Sequence, residues 1–145
     1  MIILDANILL YAYMANFPQH KKAADWLEKT LSGNGATIGL IWPVATAFLR
    51  LGTNARIFDD PFSMDFARSR LDDLVQHPSV VVLSAGPRHW SILSGLLKKY
   101  NITGDLVTDA HIAASSIEHK AIVATSDRDF RRFSDDISII DPIGG

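Results

Sequence analysis

Short apolar runs recur along the chain, with amphipathic segments between them. Ile2–Leu4, Ala36–Leu40, Val80–Leu83, Ala121–Ala124 and Ile137–Ile140 are unbroken rather than alternating. Continuous runs are the pattern of strands in a parallel sheet covered on both faces. Between them, apolar residues return at three- and four-residue spacing, which places them on one side of a helix. Ala24, Leu27 and Leu31 form one stripe, closed by Gly33-Asn34-Gly35. Val44, Ala47, Phe48 and Leu51 form the next, opened by Pro43, which needs no N–H partner in a first turn. Ala67, Leu71, Leu74 and Val75 make a third, and Trp90, Leu93, Leu96 and Leu97 a fourth. Leu106, Ala110, Ala113 and Ile117 make a fifth. One more helix follows Asp5, with Asn7 as its expected cap, and Asn54–Pro61 is the longest expected loop. Strands alternating with helices at this spacing predict an α/β sandwich with a largely parallel sheet.

In such folds ligands bind beyond the carboxyl ends of the strands. Acidic residues collect there. Asp5 ends the first strand, Asp127 and Asp129 lie just past the fourth, and Asp109 opens the helix before it. Carboxylates brought ~5 Å apart at an effective dielectric of ~20 repel by about 3 kcal/mol per ionised pair. A shared proton or a bound cation relieves this. Oxygen donors without any cysteine favour a hard ion, Mg²⁺ or Mn²⁺, over zinc.

Each acid also has a purely structural reading. Asp127 or Ser126 is placed to cap a short helix over Asp129–Phe133. Asp109 sits in a first turn, where the helix dipole favours any anion. Asp105 stands immediately before the same helix, the usual place of an Asp cap. Arg128, Arg131 and Arg132 flank the acids, either to hold phosphates or as a solvated helix end. Trp42, directly after an apolar strand, is expected in the core, with base stacking as the alternative. The five histidines show no metalloprotease spacing, and His111 is expected at the surface, with a supporting place beside Asp109 as the alternative. Gly33, Gly35 and Gly39 precede a strand instead of following one, which excludes a dinucleotide loop.

Bulk properties narrow the class further. A chain of 145 residues, 48% hydrophobic and 21% charged, predicts one domain with a sizeable core. The absence of cysteine excludes disulfides and a thiol nucleophile and is compatible with a cytoplasmic protein. The amino-terminal strand has no basic region before it, so no signal peptide is expected. No apolar run approaches the ~18 residues of a membrane helix. A net charge of −2 argues against a generic nucleic-acid binder, unless a cation neutralises the acids.

Three segments, LDANILLYA, WPVATAFLRLGTNARIF and GDLVTDAHIAASSIEHKAIVATSDRDFRRF, resemble in order the PIN-domain ribonucleases. More closely, they are similar to the VapC toxins of bacterial type II toxin–antitoxin pairs. That resemblance implies a single PIN domain over residues 1–145, a PIN-like three-layer sandwich with a largely parallel five-stranded sheet flanked by helices. It implies Asp5, Asp109 and Asp127 as core metal acids, Asp129 as an outer one, and Asn7 and Thr125 as supporting residues. It implies Mg²⁺- or Mn²⁺-dependent endonucleolytic cleavage of RNA by an activated water, leaving a 5′-phosphate and a 3′-hydroxyl. It implies a VapB-type antitoxin laid across the acidic groove, and a homodimer. One position departs from the pattern: Ala47, three residues before Arg50, stands where the family's motif has a glutamate. The acid ring is then one short, with Asp105, four residues before Asp109, placed to compensate. One ion is expected to bind well and a second weakly. A PIN module that binds RNA or protein without cutting is the rival reading. A phosphatase of the haloacid-dehalogenase type fits less well, because its paired aspartates belong after the first strand.

Overall fold

Strand β1 (Ile2–Leu4) is short and wholly apolar because it lies at the centre of the sheet, with a neighbour on each side. The computed structural model describes residues 1–33 and 35–144, so the Gly33-Asn34-Gly35 stop lies in part outside the described residues. The other strands are β2 (Ile38–Ile41), β3 (Val80–Leu83), β4 (Ile122–Ala124) and β5 (Ile139–Ile140). All five run parallel in the order β3-β2-β1-β4-β5. Ile3 pairs with Gly39 on one side, and Leu4 with Ala124 on the other. The carboxyl ends of β1 and β4 are therefore level, which is what brings their next residues together.

Among the described residues, six α-helices connect and flank the strands: α1 (Ala6–Tyr13), α2 (His20–Leu31), α3 (Trp42–Gly52), α4 (Met64–Gln76), α5 (His89–Lys99) and α6 (Leu106–Glu118). None of the described helices is long and apolar enough to cross a membrane. A 3₁₀ helix over Arg128–Phe133 follows β4. So short a helix has little stability of its own. Phe130 and Phe133, both fully buried and packed edge to face 6.2 Å apart, hold it down. Burial of each ring is worth about 2–3 kcal/mol. These two side chains fix the turn that carries Asp127 and Asp129.

Several expectations change. The second and fifth strands start two residues later than the apolar runs, at Ile38 and Ile139, and the fourth starts at Ile122. Pairing with a neighbour, not hydropathy alone, decides where a strand begins. Trp42 is 52% exposed and not in the core. Helix α3 starts directly at the end of β2 and buries Val44, Ala45 and Phe48, leaving Trp42, Thr46 and Arg50 on its outer side. Trp90 is 68% exposed, because His89 takes the inward position at the start of α5. Val75 is exposed one step beyond the buried Ala67, Leu71 and Leu74 of α4. His111 is half-buried, not on the surface, and shares a hydrogen bond of 2.9 Å with buried His89.

Candidate active site

Asp5 is the residue after β1, and it, not Asn7, caps α1. Its Oδ1 accepts the Ala6 N–H at 2.7 Å. Thr125, the equivalent residue after β4, is buried and donates its hydroxyl to Asp5 Oδ2 at 2.8 Å. The same Thr125 oxygen accepts the Asp127 N–H at 3.0 Å, and Asp127 Oδ1 accepts the Asp129 N–H at 2.9 Å. One chain of hydrogen bonds thus runs from α1 across two strand ends into the 3₁₀ helix. Asp127 is a helix cap and a member of the acid cluster at once, so its two sequence readings coexist.

Asp109 enters from the first turn of α6. Carboxylate oxygens of Asp109, Asp127 and Asp129 all lie within 4.8 Å of one another, the only such grouping of possible metal ligands among the described residues. Asp5 stands close enough to act electrostatically on Asp109 but outside this tightest triplet. Its two oxygens are already bonded to Ala6 and Thr125. Asp105 precedes α6, is exposed, makes no side-chain cap bond and lies outside the triplet. Asn7 is half-buried in the first turn of α1.

The charges in this cup are under stress. Asp109 is pushed up to about 7 by burial and then by Asp5, Asp127 and Asp129, with Arg132 opposing. Burial also raises Asp5, against the bonds from Thr125 and Ala6 that favour its charged form. Arg132 approaches Asp129 only to 3.8 Å and spends its Nε–H on the Asp129 carbonyl at 3.0 Å. Repulsion is therefore left largely uncompensated by protein cations. Hard oxygen donors converging in this way fit a divalent cation such as Mg²⁺, which would discharge the repulsion that raises Asp109.

Arg128 and Arg131 line a polar cleft of about 650 Å³ that begins at Asp127. Gln19 and Asp141 line it too, although neither is among the site residues expected from the sequence. Asp141 did carry a signal, since it follows β5 as Asp5 follows β1. Gln19 lies at the foot of α2, and no pattern in the sequence marks it.

Comparison with known proteins agrees with this picture. The PIN domain family model matches residues 2–136. The chain is 42% identical over 135 residues to Ribonuclease VapC33 of Mycobacterium tuberculosis, covering 93% of this chain and 94% of that one. It is 38% identical to Ribonuclease VapC37 of the same organism, over 92% of each chain. Among solved structures, VapBC2 of Rickettsia felis bound to a promoter DNA fragment superposes with a TM-score of 0.67 at 21% identity, over 97% of this chain and 98% of that one. Mycobacterium tuberculosis VapC20, described as a sarcin-ricin loop cleaving toxin, gives 0.68 at 14% identity, over 91% and 94%. With the family model matched over residues 2–136 and relatives 38–42% identical along nearly its whole length, the chain belongs to the PIN-domain family.

Proposed function

We propose that this protein is a divalent-metal-dependent endoribonuclease, the toxin of a type II toxin–antitoxin pair, formed as one PIN domain over residues 1–145 and acting in the cytoplasm. The observation that carries the proposal is the convergence of Asp109, Asp127 and Asp129 oxygens within 4.8 Å, in a chain whose relatives at 34–42% identity are named VapC ribonucleases. In this reading Asp109, Asp127 and Asp129 hold Mg²⁺ or Mn²⁺, with Asp5 beside them as the fourth site acid. The cation would supply the positive charge that activates a water and offsets charge on the departing 3′ oxygen.

The protein's own groups do the positioning. Thr125 orients Asp5 through a 2.8 Å hydrogen bond, and Asn7 supports the same strand end. Burial and the neighbouring acids push the Asp109 carboxyl up to about 7, and a divalent cation held by this cup would favour its ionised form. Arg128 and Arg131 take the phosphates of the incoming strand. In this reading cleavage is direct hydrolysis by an activated water, leaving a 5′-phosphate and a 3′-hydroxyl. A VapB-type antitoxin occupies the acidic groove, and the toxin is a homodimer.

Ala47 favours a second reading, a PIN module that binds without cutting. It sits half-buried in α3, with no acid within a helical turn to replace the glutamate of the family's motif. The first reading absorbs this as one tightly held ion. The test incubates cellular RNA with the wild type and Asp5→Asn, with Mg²⁺ and with EDTA, and maps the ends. Cuts bearing 5′-phosphates, seen only with wild type and Mg²⁺, are expected. Cyclic 2′,3′-phosphate ends, or cutting that persists in EDTA, would overturn the mechanism. An absence of cuts would leave the binding module.

A further inference from the structure

The polar cleft beside Asp127 contains more than the acid cluster requires. Its volume, about 650 Å³, falls in the range of small-ligand sites and is too small for a duplex. Arg128 and Arg131 line it, and neither has a carboxylate within 4 Å among the described residues, whereas the neighbouring Arg132 is paired with Asp129, so the two lining arginines offer unspent guanidinium groups. Ile139 and Ile143 give the same cleft an apolar wall. Asp141 Oδ1 accepts the N–H groups of Ile143 and Gly144 at 3.2 and 2.9 Å, curling the segment after β5 into that wall.

Gln19 lines the cleft as well. Its amide oxygen is buried without any hydrogen-bond partner. A buried acceptor left unpaired costs on the order of 1–3 kcal/mol, so native proteins keep few of them. Rotation about the last side-chain torsion exchanges the amide oxygen and nitrogen at little cost. With the oxygen turned inward, the amide nitrogen is the atom left to face the cleft, and rotation would put the acceptor there instead, so Gln19 offers a base edge one donor or one acceptor at a time.

We propose that this cleft receives one unpaired nucleotide next to the scissile phosphate, and that Gln19 reads the edge of its base. Arg128 and Arg131 grip the phosphate, and the isoleucine wall packs against the face of the base. Bases splayed from single-stranded RNA are read in this way, by an edge and a face together. Gln19 is then a specificity residue standing outside the acid cluster. The inference rests on the ribonuclease reading for its substrate class, and its test separates the two.

Wild type and Gln19→Leu, similar in volume but without the amide, are compared in two assays after thermal melting shows both folded. The first sequences the cut sites in a random single-stranded RNA pool with Mg²⁺. The second measures binding of fluorescent five-nucleotide RNAs, differing at one position, at low ionic strength without divalent metal. The expected result is a base preference of about tenfold at one position flanking the cut, lost in Gln19→Leu. The same preference disappears from binding. If the wild type binds with a Gln19-dependent preference but does not cut, the inference stands and the ribonuclease reading fails. Cutting with an unchanged sequence profile in Gln19→Leu overturns the inference and leaves the ribonuclease intact. A uniform loss across all sequences, or no RNA binding by the wild type, overturns it as well; the latter would leave the cleft to a polypeptide partner.

Discussion

Helix α6 carries one carboxylate in its first turn and another at its last residue, and the two live in opposite surroundings. Asp109, at the amino end, is favoured by the helix dipole, yet burial and three neighbouring acids push it up to about 7. Glu118, at the carboxyl end, has the dipole against it, yet it is lowered. The backbone N–H of Gly86 meets its Oε1 at 2.8 Å and that of Arg88 its Oε2 at 3.0 Å, with His119 and His89 adding favourable charge. What separates a structural acid from a working one here is the supply of donors. Glu118 has its quota from the protein, while Asp109 faces like charge and is left wanting a cation.

The largest effect should appear in catalysis. If the proposed mechanism holds, Asp109→Asn is expected to lower the RNA cleavage rate by at least about a hundredfold, by removing one of the acids proposed to hold the cation. Glu118→Ala should leave the rate of the folded protein unchanged, and a fluorogenic RNA substrate reads both. Cleavage that follows Glu118 instead of Asp109 would erase the distinction.

Metal linkage comes next. Mg²⁺ at about 100 times its dissociation constant should stabilise the wild type by about 2.7 kcal/mol in urea titrations. Glu118→Ala should show the same gain, and Asp109→Asn little of it.

Without metal, the two substitutions should move stability in opposite directions. Glu118→Ala strands the Gly86 and Arg88 amides and should lower the urea midpoint. Asp109→Asn removes the stressed charge and should raise the thermal midpoint by a few degrees.

The smallest effect is a difference in pH slope, measured in EDTA. Asp109 binds its proton more tightly folded than unfolded, so stability falls as pH rises from its ordinary value of 3.8 towards about 7. Glu118 is depressed below its ordinary 4.5, so its contribution is present above that value and lost as pH falls beneath it. Asp109→Asn should flatten the first slope, and Glu118→Ala the second.

Hydropathy made most of the sheet legible, because buried parallel strands have to be apolar on both faces. It overran β2 and β5 at their starts, where Ala36 and Ile137 are apolar but unpaired. Asp5, Asp127 and Asp129 were legible as residues that follow strands, and Asp109 as an acid in the first turn of a helix. Their division of labour was not. Asp5 as the cap of α1, Asp129 in the tightest triplet and Asp105 outside it depend on backbone direction over a single turn. The His89–His111 contact joins residues 22 apart in sequence, and two isolated histidines carry no periodic trace of it. Gln19 escaped for the same reason, since its place in the cleft comes from tertiary packing alone.

The hydrogen bond between Thr125 and Asp5 spans 120 positions of sequence. A ribosome adding about 5–20 residues per second exposes the central strand seconds before its neighbour on that side. Until β4 has emerged and docked, Asp5 has no partner, Asp127 and Asp129 are absent, and the negative cup does not exist. Whatever chemistry it performs is withheld from the nascent chain until β4 has docked beside β1, as a consequence of strand order alone.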